Sequence, residues 1–314
     1  MVALGQNPLG HRAATRDHRF VPNRHDGAVP FRWDLLAPDR LGSMLPKGGE
    51  VDLWFLPDLL EAAGKVLARG GGGDLVFVGR SLDSMHDLLG AALGRAGAAQ
   101  AVLRLPFSFR RDRVRTTSGR WVLPDLTPAQ RAVARCVLTD VGVTPESLGR
   151  RRQPCTFVDV VHVGATFTEL FGLLREWVDE SRGAWPVIRR KLRFVGVTRR
   201  GPTTPHAFRW QQEASWTRTL PAASVVNVSL DPSVWSYFGD DQAKLTDSFS
   251  PPHWLAPGSI PARNESTRRA LAEAVAVVAH GRSSRGRRAI AHAARHEPTL
   301  SEPWLRTLVG QLNR

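Results

Sequence analysis

The sequence predicts an α/β protein with a doubly wound parallel sheet, an N-terminal arm before it and a C-terminal helical extension after it. Between residues 55 and 230, short apolar segments alternate with segments of helical spacing. This alternation is typical of strand–helix–strand units whose strands pair in parallel. We therefore divide the chain into an N-terminal arm or lid (1–54), an α/β domain (55–240) and a C-terminal hood with a helical extension (241–314).

Each strand is predicted from a short, mostly apolar segment, as in parallel sheets with both faces covered. The predicted strands are residues 74–79, 101–105, 156–161, 192–197 and 224–228. Apolar positions at helical spacing predict helices at 57–69, 83–95, 166–180, 266–280 and 301–312, with two more starting near Thr127 and Thr144. Thr127-Pro-Ala-Gln130 has the pattern of a capping box, and Gly281 is expected to end the helix before it.

The composition excludes several classes of protein. Hydrophobic residues make up 42% of the chain and charged residues 23%, as in ordinary globular proteins. No apolar run approaches the roughly 20 residues needed to span a bilayer, and the N-terminus lacks the apolar stretch of a secretory signal. Cys136 and Cys155 are the only two cysteines, which argues against a disulfide framework or a zinc ribbon. We expect a cytoplasmic protein without membrane association.

The net charge of +14 comes almost entirely from arginine. It is compatible with a nucleic-acid binder, with a site for a small polyphosphate, or with arginine scattered through the sequence without a common role. The densest clusters are residues 110–115, 150–152 and 282–288. None alternates with aromatic residues as a single-strand stacking platform does, so a nucleic-acid partner is the least favoured of the three.

The segment Phe157-Val-Asp-Val-Val-His-Val-Gly-Ala-Thr-Phe167 carries the clearest chemical signal. A buried strand delivers the carboxylate of Asp159, and a short loop then leads to a helix that opens with Gly164-Ala165-Thr166. The amide hydrogens and the dipole at a helix start favour a phosphate group. Gly164 lets the backbone approach the anion, Thr166 adds a hydroxyl donor, and an ionised aspartate suits vicinal hydroxyls or a divalent cation.

This segment resembles the phosphoribosyl-diphosphate loop of the type I phosphoribosyltransferases, in which an apolar strand and two acidic residues precede a loop ending Thr/Ser-Gly-x-Thr. Asp159, Gly164 and Thr166 match the second acid, the glycine and the last threonine. Val158 replaces the first acid, and Val163 stands where the family has threonine or serine. The resemblance covers roughly residues 55–240 and implies the family's α/β fold. It also implies that His162, Val163, Gly164, Ala165 and Thr166 bind the substrate's phosphate.

Two further segments resemble parts of the same family. Phe77-Val-Gly-Arg-Ser81 is similar to its diphosphate loop, which implies that Arg80 and Ser81 bind the diphosphate. Val228-Ser-Leu-Asp-Pro-Ser-Val-Trp235 is similar to a segment that carries a metal-contacting aspartate and an aromatic residue over the base. The resemblance therefore implies a metal ligand at Asp231 and ring-stacking residues at Trp235 and Tyr237.

The function implied is transfer of a phosphoribosyl group from phosphoribosyl diphosphate to a nitrogenous acceptor, with release of diphosphate. Asp159 would be the catalytic carboxylate, and Mg²⁺, held by Asp159 and Asp231, would neutralise the diphosphate. The basic stretch 107–120 occupies the position of the family's mobile loop, from which Arg110, with Arg111 and Arg113, would reach the leaving group. The alternative is a nucleotide-binding regulator that keeps the fold without turnover, as the loss of the first acid allows. The oligomeric state is left open, with a homodimer as one alternative.

Each of these residues also has a purely structural interpretation. The turn at 159–166 could be a plain strand-to-helix connection, Ser81 could cap the next helix, and Asp231 could open a turn before Pro232. Trp235 and Tyr237 could pack in the core, and His162 could be a surface histidine. His292 and His296 have the i, i+4 spacing of zinc ligands, but a basic helical face is the better interpretation because no third ligand is evident.

Overall fold

The computed structural model describes residues 30–45, 51–202, 204, 207–256, 258 and 261–314. Much of the predicted arm therefore lies outside the described residues. In the described ranges a central sheet carries helices on both of its faces. None of the helices in these ranges has the length and apolar character needed to cross a lipid bilayer.

All five predicted strands are confirmed, with ends shifted by at most two residues. They are β1 (Leu75–Val78), β2 (Val102–Leu105), β5 (Cys155–Val161), β6 (Leu192–Arg199) and β7 (Val225–Leu230). They pair in parallel, in the spatial order β2–β1–β5–β6–β7. Two short strands, β3 (Val114–Arg115) and β4 (Trp121–Val122), form a separate antiparallel hairpin in the basic stretch between β2 and β5.

Seven of the described helices follow the predicted segments, and five others, at 185–188, 210–213, 232–236, 251–254 and 284–295, were not among those segments. They are α1 (Leu56–Arg69), α2 (Asp83–Ala96), α3 (Pro128–Asp140), α4 (Pro145–Arg150), α5 (Ala165–Glu180), α6 (Trp185–Ile188), α7 (Trp210–Glu213), α8 (Pro232–Ser236), α9 (Pro251–Trp254), α10 (Glu265–Arg282), α11 (Ser284–Arg295) and α12 (Pro303–Leu312). The capping box of α3 is confirmed. The Thr127 hydroxyl accepts the amide of Gln130 at 3.2 Å, and the Gln130 side chain accepts the amide of Thr127 at 2.9 Å.

Alternating side chains of the central strands fill two cores, one on each face of the sheet. Val158 and Val195 belong to the core that the sheet shares with α1 and α2. Phe157 and Phe194 belong to the opposite core, which includes residues of α3 and α5. Because side chains alternate along a strand, a run that is apolar at every position needs cover on both faces. The prediction of a parallel sheet flanked by helices is therefore confirmed.

The order of the strands reverses between β1 and β5. From β1 the chain moves outward to β2, and it then returns to β5 on the other side of β1 and continues to β6 and β7. In open α/β sheets, ligands bind at such a reversal, beyond the carboxyl ends of the two strands. The loops that leave β1 and β5 there contain Arg80-Ser81 and His162-Val163-Gly164 respectively. The topology thus brings together the two loops that the sequence predicts as phosphate-binding.

The three C-terminal helices complete the core on the α1 and α2 face. Helix α10 packs against α2, and α11 packs against α1. Ile290 of α11 and Leu305, Leu308 and Leu312 of α12 lie in the same apolar cluster as Leu59 of α1. The sheet and these helices therefore share one hydrophobic core.

Gly281 does not end α10, and in this respect the sequence prediction is wrong. The helix continues to Arg282, and Gly281 is buried where α10 meets α2. A Cβ at this position would lie 2.5 Å from the carbonyl oxygen of Leu88 and 3.1 Å from the Cβ of Ala91. The glycine is thus explained by the close approach of two helices, which the sequence of one helix does not reveal.

We expect Gly281→Ala to lower the free energy of unfolding by about 1–3 kcal/mol, because its Cβ meets a backbone oxygen that can move only with α2. Gly310→Ala on α12 is the control. Its Cβ would meet no heavy atom within 4 Å, so only helix propensity applies, and it should stabilise by about 0.5–1 kcal/mol. Urea denaturation of both variants measures the difference. Equal effects of the two substitutions would contradict the packing explanation.

Candidate functional site

The loop between β5 and α5 is exposed at its tip and buried at its glycine. His162, Val163 and Ala165 are exposed to solvent, whereas Gly164 is buried. Gly164 is the N-cap of α5, and among the described residues no side chain caps this helix. The first amides of a helix have no intrahelical acceptor, so the start of α5 offers N–H donors and the positive end of the helix dipole. This arrangement suits an anion.

The conformation and packing of Gly164 explain why glycine is needed there. Its φ of 78° lies in the left-handed region, which side chains other than that of glycine rarely adopt. A Cβ would also lie 2.5 Å from Cε3 of Trp210. The ring of Trp210 is buried, and its Nε1 donates to Oδ1 of Asn227 on β7 at 2.9 Å. Trp210 was not singled out from the sequence, and it covers one side of the loop.

Asp159 is the acidic residue of the site, and its carboxyl group is largely buried. Only 6% of its surface is exposed. Burial raises the pKa of Asp159 from 3.8 to about 8, although the amide of Val160, 2.7 Å from Oδ1, and the side chain of Thr166 act in the opposite direction. Without a ligand, Asp159 is therefore largely protonated at neutral pH, because a charged carboxylate without a nearby cation is costly in this position.

The loop after β1 is held by contacts to the segment around residue 245. Gly79 has a φ of 71°, which turns the chain directly after the strand. Arg80 donates from Nη1 to the carbonyl of Thr246 at 2.5 Å, and the carbonyl of Ser81 accepts Nζ of Lys244 at 3.1 Å. Ser81 does not cap α2, since the N-cap is Leu82 and no side chain caps that helix. Two hydrogen bonds therefore position the loop. One is accepted by its backbone at Ser81, and the other is donated by the guanidinium group of Arg80.

Of the three arginines assigned to the mobile loop, one is paired with a carboxylate of α5. Arg111 donates from Nη2 to Oε1 of Glu169 on α5 at 2.6 Å, and its side chain is almost fully covered. Arg110 and Arg113 are exposed. The basic stretch therefore contacts α5 one turn beyond the candidate phosphate-binding amides. The guanidinium groups of Arg110 and Arg113 are left in solvent.

Asp231 stabilises the start of helix α8. It is the N-cap of α8, and its Oδ1 accepts both the amide of Ser233 at 2.9 Å and the Ser233 hydroxyl at 2.5 Å. These hydrogen bonds keep the pKa of Asp231 below its ordinary value. Across the described residues, no group of three or more histidine, cysteine, aspartate or glutamate side chains is arranged to hold a metal ion.

The two candidate stacking residues lie in different surroundings. The ring centroid of Trp235 is 6.2 Å from that of His162, and its Nε1 donates to the carbonyl of Val197 on β6 at 3.0 Å. Trp235 thus lies beside the loop after β5. Tyr237 stacks on Phe55 at 5.2 Å and donates to Oε2 of Glu273 at 2.5 Å, so its contacts are those of a core residue.

A buried ionic cluster beside the β1 loop was missed by the sequence reasoning. Asp83, in the first turn of α2, accepts Nε of Arg104 from β2 at 3.0 Å and lies 3.4 Å from Nη1 of Arg32. Arg32 also pairs with Asp87, one turn further along α2. Lys244 lies close to this cluster, and burial lowers its pKa to about 8. The only sequence signal is the i, i+4 spacing of Asp83 and Asp87 at a helix start.

His292 and His296 lie together on the surface of α11, with ring centroids 4.5 Å apart. Nδ1 of His296 is 2.8 Å from the carbonyl oxygen of His292. Both residues are exposed, in agreement with the basic helical face that the spacing favours.

The comparisons with known proteins leave the family open. No family model matches the sequence, and neither the curated proteins nor the solved structures gave a significant match.

Proposed function

We propose that this protein binds phosphoribosyl diphosphate at the loops after β1 and β5, and that it transfers the phosphoribosyl group to a nitrogenous, ring-bearing acceptor. The observation that carries the proposal is the adjacency of these loops where the strand order reverses. The two segments come from parts of the chain about 80 residues apart and resemble different substrate-binding loops of the same family.

The first amides of α5 and the hydroxyl of Thr166 would hold the phosphate monoester. Arg80, whose guanidinium group uses one nitrogen to bind Thr246, has further donors for the diphosphate. Asp159 would accept hydrogen bonds from the ribose hydroxyls once the ligand has displaced its proton. In the reaction the bond from the anomeric carbon to the diphosphate oxygen breaks and a carbon–nitrogen bond forms, while the proton of the acceptor nitrogen passes to the departing diphosphate. Positioning and charge stabilisation would supply the catalysis.

The carboxylates do not fit a resident magnesium site. Asp159 is buried and largely protonated, and Asp231 is occupied as the cap of α8. We therefore propose that Mg²⁺ arrives with the donor, coordinated by the diphosphate oxygens, as is common for this hard cation. Trp235, beside His162, is the candidate platform for the acceptor ring.

One observation favours a second function, a regulator that binds a nucleotide or the donor without turnover. Val158, at the position of the family's first acid, is fully buried in the core shared with α1 and α2. A carboxylate there would point into apolar side chains, so the backbone offers only Asp159 to the ribose. Since 6% of Asp159 is exposed, the loop would also have to open before both ribose hydroxyls could reach it.

Incubation of the purified protein with phosphoribosyl diphosphate, Mg²⁺ and a panel of purine, pyrimidine and pyridine bases should release diphosphate with at least one base. We expect Thr166→Val to weaken donor binding, or to slow release, by about tenfold to a hundredfold, because a hydroxyl donor to a charged phosphate contributes roughly 1.5–3 kcal/mol. Thr307→Val on α12 removes a hydroxyl of the same kind outside the proposed site and is the matched control.

Calorimetry with the donor separates the two functions. Donor binding that Thr166→Val weakens, without diphosphate release from any base, would favour the regulator. Absence of donor binding would exclude both functions at this site.

A further inference from the structure

A cavity lies away from the switch point, between α1 and the helices α10 and α11. Its volume is about 710 Å³, and the exposed side chains of Arg285, His292 and His296 show that it is open to solvent. Its apolar walls are formed by Leu56, Pro57 and Leu60 of α1 and by Ala289 and Ala293 of α11. Cavities of this size that combine apolar walls with a few polar groups are typical of small-molecule sites. The proposed phosphoribosyl transfer does not use this cavity.

The cavity results from the way α1 and α11 pack. At Gly64 the two helices touch, since a Cβ there would lie 2.5 Å from the carbonyl oxygen of Ile290 and 2.6 Å from the Cβ of Ala293. The alanines of α11 that line the cavity fill little of the space between the helices. The cavity therefore lies beside the point where the two helices are closest.

The charged groups around the cavity leave an excess of positive charge. Of the two carboxylates, Glu61 is paired with Lys65 on the same helix, and Glu297 accepts two bonds from Arg69 at 2.7 and 2.8 Å. Arg285 and three histidines complete the polar lining: His280, His292 and His296. No ion pair of Arg285 occurs among the described residues. A ligand that enters thus meets apolar walls and an uncompensated guanidinium group.

His280 adds an unsatisfied polar group to this lining. Its Nε2 is buried and has no hydrogen-bond partner in the described part of the chain. Burial, together with the charge of Arg285, lowers the pKa of His280, so at neutral pH the ring is uncharged and can donate or accept one hydrogen bond. A buried polar atom without a partner is costly, but a ligand reaches this one only if the His280 side chain turns toward the cavity.

We propose that this cavity is a binding site for a small carboxylate with an aromatic or aliphatic body. Arg285 pairs with the carboxylate, and the apolar walls of α1 and α11 contact the body of the ligand. A neutral ligand of the same shape leaves Arg285 unpaired, and a polyphosphate has no apolar surface to bury against the walls.

Calorimetry with 1-naphthaleneacetate and with its uncharged amide, 1-naphthaleneacetamide, tests this proposal on the full chain. The carboxylate should bind at one site, and the amide at least tenfold more weakly. Arg285→Gln should weaken binding of the carboxylate by about tenfold, whereas Arg288→Gln on the same helix, outside the lining, should leave it unchanged. Ala289→Phe should occupy part of the cavity and weaken binding, and Ala279→Phe, at an exposed position of α10, should not.

Absence of heat with the carboxylate would overturn the proposal, and so would equal affinity for the amide or binding that neither Arg285→Gln nor Ala289→Phe weakens. Arg285 is exposed, so Arg285→Gln keeps the test valid even if Ala289→Phe disturbs the helix pair. The two variants also separate this site from the switch-point site, because Arg285 and Ala289 line only the cavity between α1 and α11.

Discussion

Replacing Asp83 by asparagine is expected to lower the free energy of unfolding by about 3–5 kcal/mol, the usual effect of removing one partner from a buried ionic cluster. Asp83 is 9% exposed and lies between the guanidinium groups of Arg104 and Arg32. Burial alone would raise the pKa of Asp83, but the positive charges of Arg104 and Arg32 hold it below its ordinary value. Without this carboxylate, the charge of Arg104 stays buried. Among the described residues, the side chain that still accepts a hydrogen bond from it is Thr246, whose hydroxyl lies at 2.8 Å.

Urea denaturation at pH 7 measures this effect, with Asp125→Asn as the matched control at an exposed position, where we expect a change within about 0.5 kcal/mol. The loss should disappear at a pH well below 3.8, because the stability contributed by a carboxyl group with a lowered pKa is lost as it becomes protonated. A loss below 1 kcal/mol at pH 7 would mean that the cluster is solvated and contributes little.

Asp159→Asn should have the opposite sign and a different pH dependence. With a native pKa of about 8 against 3.8, Asp159 keeps its proton in the folded chain while the unfolded chain releases it. This penalty is absent at low pH, grows as the pH rises from about 4 to 8, and amounts to roughly 6 kcal/mol at its full extent. Asparagine carries no charge, and its side-chain oxygen can still accept the amide of Val160. The variant should therefore be the more stable protein, by a margin that increases with pH.

Denaturation curves at pH 5, 6, 7 and 8 check this margin, and donor binding measured on the same samples shows whether Asp159 is functional. If the substitution raises the free energy of unfolding and abolishes donor binding, Asp159 contributes to binding although it destabilises the folded protein. A stability difference that stays constant from pH 5 to pH 8 would show that Asp159 is already ionised in the native protein.

The sequence predicts the α/β framework well, because its signals are local. The limits of β5 and α5 are correct to within one residue, since a continuous apolar run gives way to helical spacing at a glycine. The adjacency of the β1 and β5 loops follows from the order of the strands, which local patterns do not specify. A structure was needed to establish it.

The surroundings of the site could not be predicted, because they depend on contacts between distant segments. Trp210 covers Gly164 from a segment 46 residues further along the chain, and the pair Arg32–Asp83 spans 51 positions. No periodic pattern in the sequence predicts either contact. The burial of Asp159 belongs to the same class, because the residues around it in the sequence do not show which distant segments cover it.

The pairing of α1 with α11 has a consequence for how this chain matures. From Arg69 to Ser284 the two helices are separated by 215 positions, yet the apolar face of α1 is completed by α11 and α12. During synthesis α1 leaves the ribosome long before its partners exist, and contacts of such long range close late. The nascent chain must therefore keep part of its interior uncovered until α11 and α12 have been synthesised.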